Sequence, residues 1–295
     1  MSNLIFDYTL ITVLMGTGLV GITAGVLGCF AFLRKQSLLA DAISHAALPG
    51  IALSFLCTQS KNPVVLLAGG AITGGIGTLL VLFITNRTSL KKDTALGLVL
   101  SVFFGLGLVL LTLIQKYSFA NQAILNKFLF GNASTLLREE IVVMAFIAAM
   151  LMSAVIFFWK EFSMLAFDQE YTRALGYPVW LIDLILTILL VCSIVIGLQT
   201  VGVILMSTLF VAPAAAARQW TTVLRTMVVL AALFGAFSGM MGALLSSIIE
   251  HTPTGPAIVV VISSIVLVSI ICAPHRGLLW QVPYIRRYIL LQKNL

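Results

Sequence analysis

Runs of about 20 apolar residues recur from one end of this chain to the other. Each is long enough, as a helix rising 1.5 Å per residue, to cross the roughly 30 Å of hydrocarbon in a bilayer. Of the 295 residues, 60% are hydrophobic and only 9% are charged, too few charges to cover the surface of a soluble domain of this size. The whole length therefore reads as one all-α polytopic membrane domain, residues 1–295, with no soluble module left over.

Hydropathy, with Gly, Pro and charge clusters taken as breaks, predicts spans over Tyr8–Leu33, Leu38–Cys57, Pro63–Thr85, Ala95–Gln115, Ile141–Trp159, Trp180–Leu198, Met227–Ile249 and Ala257–Ala273. A ninth, shorter piece runs from Val201 to Ala217 and is too short to count as a full span. The opening, MSNLIFDYTLITVL, lacks the basic leader of a cleaved signal peptide, so the first run is expected to be a retained helix. With the N-terminus outside, the inner side collects Arg34, Lys35, Arg87, Lys91, Lys92, Lys160, Arg173, Arg218, Arg225, Arg276, Arg286, Arg287 and Lys293. Only Lys61, Lys116, Lys127 and Arg138 fall outside, the asymmetry that the positive-inside rule demands. The net charge of +7 is thereby explained by topology, and no nucleic-acid partner is implied.

Two linkers are too polar to span. Residues 116–140 fall outside and are expected to hold a short surface helix; residues 160–180 fall inside and read as a short helix ending at Gly176, with Pro178 as a stop. Glycine pairs at small-residue spacing, Gly21 and Gly25, Gly70 and Gly74, Gly235 and Gly239, predict close helix packing, chiefly within the chain. Cys29, Cys57, Cys192 and Cys272 are scattered singly, with neither disulfide-framework nor CxxC spacing, and are expected to be small buried side chains.

Against this apolar background the segment LLADAISHAALPG, residues 38–50, stands out. Counted from Arg34, Asp41 and His45 lie about 10 and 16 Å along the helix, His45 near mid-bilayer. Ionisable groups at that depth cost several kcal/mol unless they face a cavity or a partner, and they mark transport paths. Spacing of four residues puts both on one helix face, close enough to share one ion. Pro49 has no amide hydrogen, so the carbonyl of His45 is left free as a third donor at an expected kink. Mixed oxygen and nitrogen donors suit Mn, Fe(II) or Zn better than Cu(I), which prefers sulfur. Two other readings stand beside this one: a buried pair that merely satisfies itself, and a proton relay.

Glu250 and His251, in SSIIEHTPTG at the outer end of a span, are a weaker metal candidate, an access site or gate, with a solvated helix end as the plain alternative. Asp183 reads as an ordinary helix-start residue favoured by the dipole, and His275 is assigned nothing. The chain has no GxxxxGK[ST] loop to hold ATP phosphates and neither HExxH nor GxSxG, so catalysis on a substrate is not expected.

Four segments carry a family likeness: SLLADAISHAALPGIALSFL (37–56), FDQEYTRALGYPV (167–179), LQTVGVILMSTLFVAPAAAARQWT (198–221) and TPTGPAIVVV (252–261). Together they resemble the permeases of ABC-type manganese, zinc and iron importers. The resemblance implies a fold related to the cobalamin-importer permeases, and a dimer of permease chains, identical or not, in the bacterial inner or plasma membrane. It further implies a cytoplasmic ATPase pair, an extracytoplasmic metal-binding protein, and a transported divalent metal in place of any permanently bound cofactor. Asp41 and His45 match the family's metal-coordinating aspartate and histidine, whereas Glu250 and His251 match no family residue. Residues 212–225 correspond to the coupling element that docks in the ATPase, with Pro213 ending an apolar piece, Ala214 to Ala217 forming a compact helix, and Arg218 and Arg225 flanking it. Manganese is slightly favoured by the hard donor set, with zinc or iron as alternatives, and a proton- or ion-coupled secondary transporter is the rival function.

Overall fold

The computed structural model describes residues 8–59, 62–117, 131, 136, 138–249, 252–274 and 277–281, and among them no strand occurs. The helices are α1 (Tyr8–Leu33), α2 (Leu38–Thr58), α3 (Pro63–Arg87), α4 (Lys92–Tyr117), α5 (Arg138–Phe157), α6 (Trp159–Phe167), α7 (Gln169–Ala174), α8 (Val179–Leu198), α9 (Val203–Trp220), α10 (Leu224–Ile248), α11 (Thr254–Cys272) and α12 (Leu278–Gln281). Eight of them, α1 to α5, α8, α10 and α11, are long and apolar enough to cross a membrane. α9 is the shorter ninth piece that hydropathy anticipates.

Consecutive spans alternate in direction, so the connections α1–α2, α3–α4, α5–α8 and α9–α10 gather at one end. That end holds Arg34, Lys35, Arg87, Lys91, Lys92, Lys160, Arg173, Arg218 and Arg225, against Lys116 and Arg138 at the other, counting described residues. It is called the basic end below.

Helices are held together by close backbone approach. Along the antiparallel pair α1 and α10, a Cβ added at Gly21 would meet the Gly235 carbonyl, one at Gly25 the Ala231 carbonyl, and one at Gly239 the Thr17 carbonyl. The contacts step by four residues on each helix, which is the small-residue spacing of a membrane helix pair. A Cβ at Gly28 would meet the backbone of Phe210, so α9 joins the same layer. On the other side α2 lies on α3, where a Cβ at Gly50 would meet the Gly69 carbonyl, while Gly70 packs beside Ala47 and Gly74 beside Ile43. The predicted glycine pairs therefore do pack within the chain. Lipid-facing residues lie mainly on the outer helices, for example Leu98, Val102, Leu106 and Val109 on α4 and Val142, Phe146 and Met150 on α5. α2 is the most enclosed span, with 72% of its window buried against 22% for α4, α5 and α11.

Three expectations need correction. The inner linker is two short helices: Asp168 is extended and its side chain accepts from the amide of Tyr171, which ends α6 and starts α7, before Gly176 turns the chain at φ +83°. Of the four cysteines only Cys29 is buried; Cys192 is half-buried, and Cys57 and Cys272 are exposed on the flanks of the bundle. Asp183 is no simple helix-start residue. It pairs with Arg34 at 2.5 Å across α8 and α1, with side chains only 13% and 5% exposed. Lys92 of α4 stands close to both, and a cavity of about 20 Å³ lined by Gln36, Thr78, Thr85, Lys92, Asp183 and Thr187 lies alongside. Most of the outer linker falls outside the described residues, but Gly131, at φ +71°, lies against the backbone of Thr200 and Val201 in the α8–α9 turn.

Two stability outcomes follow. Replacing Gly21 by Val should drive α1 off α10 and cost about 3 kcal/mol or more, whereas Gly105→Ala, with open space around it, should change stability by no more than about 0.5 kcal/mol. Asp183→Ala leaves the Arg34 guanidinium buried without its partner and should cost about 3–5 kcal/mol. Denaturant unfolding of the purified chain in detergent micelles measures all three variants.

Candidate functional site

Helix α2 starts after Ser37, places Asp41 in its first turn where a negative charge suits the dipole, and continues through Pro49 to Thr58. It is free to do so because the proline only gives up the bond to the carbonyl of His45, and because Gly107 on α4 leaves room for the Leu48–Pro49 bulk. Ser44, the other polar residue in the centre, is internally satisfied by the Ala40 carbonyl at 2.7 Å.

From Leu39 to Ala52 every residue of α2 is buried except Asp41 and His45. The two ionisable side chains thus occupy the one partly open strip in the middle of the most enclosed helix. Their side chains are 29% and 12% exposed, and His45 Nε2 stands 3.5 Å from Asp41 Oδ1. That separation is longer than a good hydrogen bond, which falls at about 2.7–3.2 Å. It matches two donors on one cation: bonds of about 2.1 Å at a tetrahedral angle put ligand atoms about 3.4 Å apart. The predicted pair is therefore brought together on one face of α2.

Two neighbouring helices brace it. The edge of Phe104 on α4 meets the His45 ring with centroids 4.6 Å apart and planes at 69°. His45 Nδ1 is buried without a hydrogen-bond partner, so Nε2 is the nitrogen presented with Asp41. The Ser207 hydroxyl on α9 stands beside the Asp41 carboxylate. Neither Phe104 nor Ser207 carries a signal in the sequence, since both act across helices and sit at ordinary apolar or small-residue positions.

Among the described residues no cluster of three or more His, Cys, Asp or Glu could hold a metal. Asp41 and His45 stand as a pair, with no third such side chain grouped with them among the described residues. Glu250, His251 and His275 lie outside the described residues.

At the basic end, the expected break at Pro213 is absent. α9 runs unbroken through it to Trp220, and the chain reverses at residues 221–223 before α10. Pro213, Ala214, Ala216 and Ala217 are packed inward, with Ala214, Ala216 and Ala217 fully buried. Arg218 Nη1 donates to the Thr222 carbonyl at 3.1 Å and closes the turn. Trp220 Nε1 donates to Ser269 Oγ on α11 at 2.9 Å. The surface left open is formed by Trp220, Thr222, Val223 and Arg225.

A profile of the ABC 3 transport family matches residues 6–273. The zinc transport system membrane protein TroC of Treponema pallidum (strain Nichols) is 44% identical over 294 residues, covering 100% of this chain and 99% of that protein. The manganese transport system membrane protein MntC of Bacillus subtilis (strain 168) is 46% identical over 266 residues, 90% of this chain and 61% of its own length. The solved structure of PsaBC from Streptococcus pneumoniae in complex with Fab superposes with a TM-score of 0.82 at 30% identity, covering 99% of this chain and 98% of that one. The chain, a multi-pass helical membrane permease, belongs to the ABC 3 transport family.

Proposed function

We propose that the chain passes a divalent transition metal, manganese or zinc, across the bacterial plasma membrane past Asp41 and His45, driven by a separate ATPase. The observation that carries this reading is the Asp41–His45 pair at 3.5 Å, the one partly open strip of α2 between Leu39 and Ala52. Relatives named for zinc and manganese transport support the cargo class. Membership of an ABC family speaks for ATP-driven import and against an ion-coupled secondary carrier.

Two donors fall short of the four to six ligands that zinc or manganese takes. A second permease chain, related by a two-fold axis, supplies its own pair, and water or the freed His45 carbonyl fills what remains. Such a site holds an ion without trapping it, since conduction needs binding strong enough to admit the ion and weak enough to release it. Asp41 supplies charge, His45 supplies direction, and the surrounding apolar faces of α2 keep water from bypassing them.

The basic end faces the cytoplasm by the positive-inside rule, which puts the N-terminus outside. There the α9–α10 turn, with Val223 and Arg225 exposed and Arg218 closing it, docks in the ATPase. Pro213 and Ala214 serve that surface from behind, by packing the helix that carries it. An extracytoplasmic metal-binding protein delivers the ion to the opposite end.

Alanine at Asp41 or at His45 should lower metal uptake by vesicles containing the full transporter at least about tenfold, with normal assembly on size exclusion. Uptake at the parent rate in both variants would remove the site. Charge reversal at Arg218 and Arg225 together should weaken retention of the ATPase on the tagged permease, or leave ATP hydrolysis insensitive to metal. A double variant with parental retention and coupling would shift docking to α6 and α7.

A further inference from the structure

A histidine that ligates a metal through one ring nitrogen is ordinarily held by the other, whose N–H donates to a carboxylate, a carbonyl or a water; that bond fixes the ring and makes it a stronger ligand. His45 departs from this pattern. Its Nε2 stands 3.5 Å from Asp41 Oδ1, but its Nδ1 is buried and has no hydrogen-bond partner among the described residues. What meets the ring is an aromatic side chain. Phe104 of α4 lies with its centroid 4.6 Å from that of His45 and its plane at 69°. Edge-to-face pairs at that range attract, because the positive edge of one ring meets the negative face of the other.

The contact depends on how near α4 comes to α2. Gly107, one turn beyond Phe104, permits the approach: a Cβ there would stand 2.9 Å from Leu48 Cβ and 3.4 Å from Pro49 Cδ. The opposite face of α4, with Leu98, Val102, Leu106 and Val109, is exposed to lipid. Phe104, half-buried, therefore comes from a peripheral span and reaches inward to the one ionisable ring at the centre of the bundle. Ring packing restricts the orientation of an imidazole, yet it adds nothing to the donor strength of Nε2, as a hydrogen bond to Nδ1 does. A conducting site needs that combination, since the ion must be admitted and then released.

We propose that Phe104 is the positioning residue for His45, fixing the imidazole by ring contact where a tightly binding metal site uses a hydrogen bond. This rests on the reading of Asp41 and His45 as metal donors. Phe104 touches the ligand and not the ion, so its loss changes how well the ion is held and leaves the path in place.

The test uses the permease assembled with its ATPase in proteoliposomes, with Mn(II) as the probe. Phe104→Leu, which keeps apolar bulk and removes the ring, should raise the half-saturating Mn(II) concentration about fivefold with the maximal uptake rate preserved. Phe104→Tyr, which keeps the ring, should stay at the parental value, as should Gly105→Ala, which alters α4 beside Phe104 in open space. Where Phe104→Leu does not assemble, Phe104→Met, of similar length and without a ring, carries the same expectation. Parental half-saturation in the ringless variant, an equal increase in Phe104→Tyr or Gly105→Ala, or a fall in maximal rate at unchanged half-saturation overturns the assignment. His45→Ala run in parallel separates the two levels: with that variant inactive, a silent Phe104→Leu sinks the role of Phe104 alone, and with that variant at the parental rate, the metal-donor reading falls as well.

Discussion

In hydrocarbon, one apolar helix face gains little by meeting another, since lipid tails are as apolar as leucine, and association must come from close van der Waals approach. The steps Thr17–Gly239, Gly21–Gly235 and Gly25–Ala231 between α1 and α10 supply that approach, and Gly50 against Gly69 supplies it between α2 and α3. With no side chain between the backbones at these points, the helices close around α2 until only Asp41 and His45 along its middle retain any exposure. The small residues thus do more than hold the bundle. They decide where a polar side chain can reach an aqueous path.

Two ionisable pairs among the described residues show how differently such groups can be used. Arg34 and Asp183 join separate helices, α1 and α8, through a close contact buried from both sides, so the pair contributes to tertiary structure in return for its desolvation. Asp41 and His45 lie on one helix, where an i,i+4 pair supports the helix by only about 0.2–0.5 kcal/mol. That is small beside the roughly 2.5–3.5 kcal/mol that a charged residue costs at the centre of a membrane helix. Mutual satisfaction of the two side chains therefore offsets little of that cost, and the proposed passage of a cation is what would offset the rest.

Much of this was legible in one dimension. The spans, the glycine spacing and the four-residue step from Asp41 to His45 are all local periodicities, and local periodicity is what a sequence writes directly. What crossed between helices was not legible. Asp183 looked like a dipole-favoured start because its partner lies 149 positions away. Phe104 carries no mark of its contact in the sequence; the folding of α4 brings it to His45. Pro213 was expected to end an apolar piece ahead of a compact helix, yet α9, packed against α1 and α10, runs through it. Tertiary packing overrides a local breaker when the rest of the helix is tightly held. The break within residues 160–180 went the other way, because the Asp168 side chain offers the backbone a cap that competes with helix continuation.

The unbroken α9 also bears on how, under the proposed function, contact at the basic end could reach the middle of α2. α2 begins at Leu38, behind the Arg34–Asp183 pair, and its start at the basic end is fixed to the structural layer of α1 and α8. A helix pinned in that way is poorly placed to move in response to a partner at the basic end. α9 is held along its middle too, against α1 at Gly28, but its last turn is at the surface and no flexible joint lies between. A coupling element that ended at Pro213 would have needed a hinge there, and a hinge dissipates displacement. Under the proposed docking of the α9–α10 turn, contact at Val223 and Arg225 would reach the middle of α2 through one continuous piece of backbone.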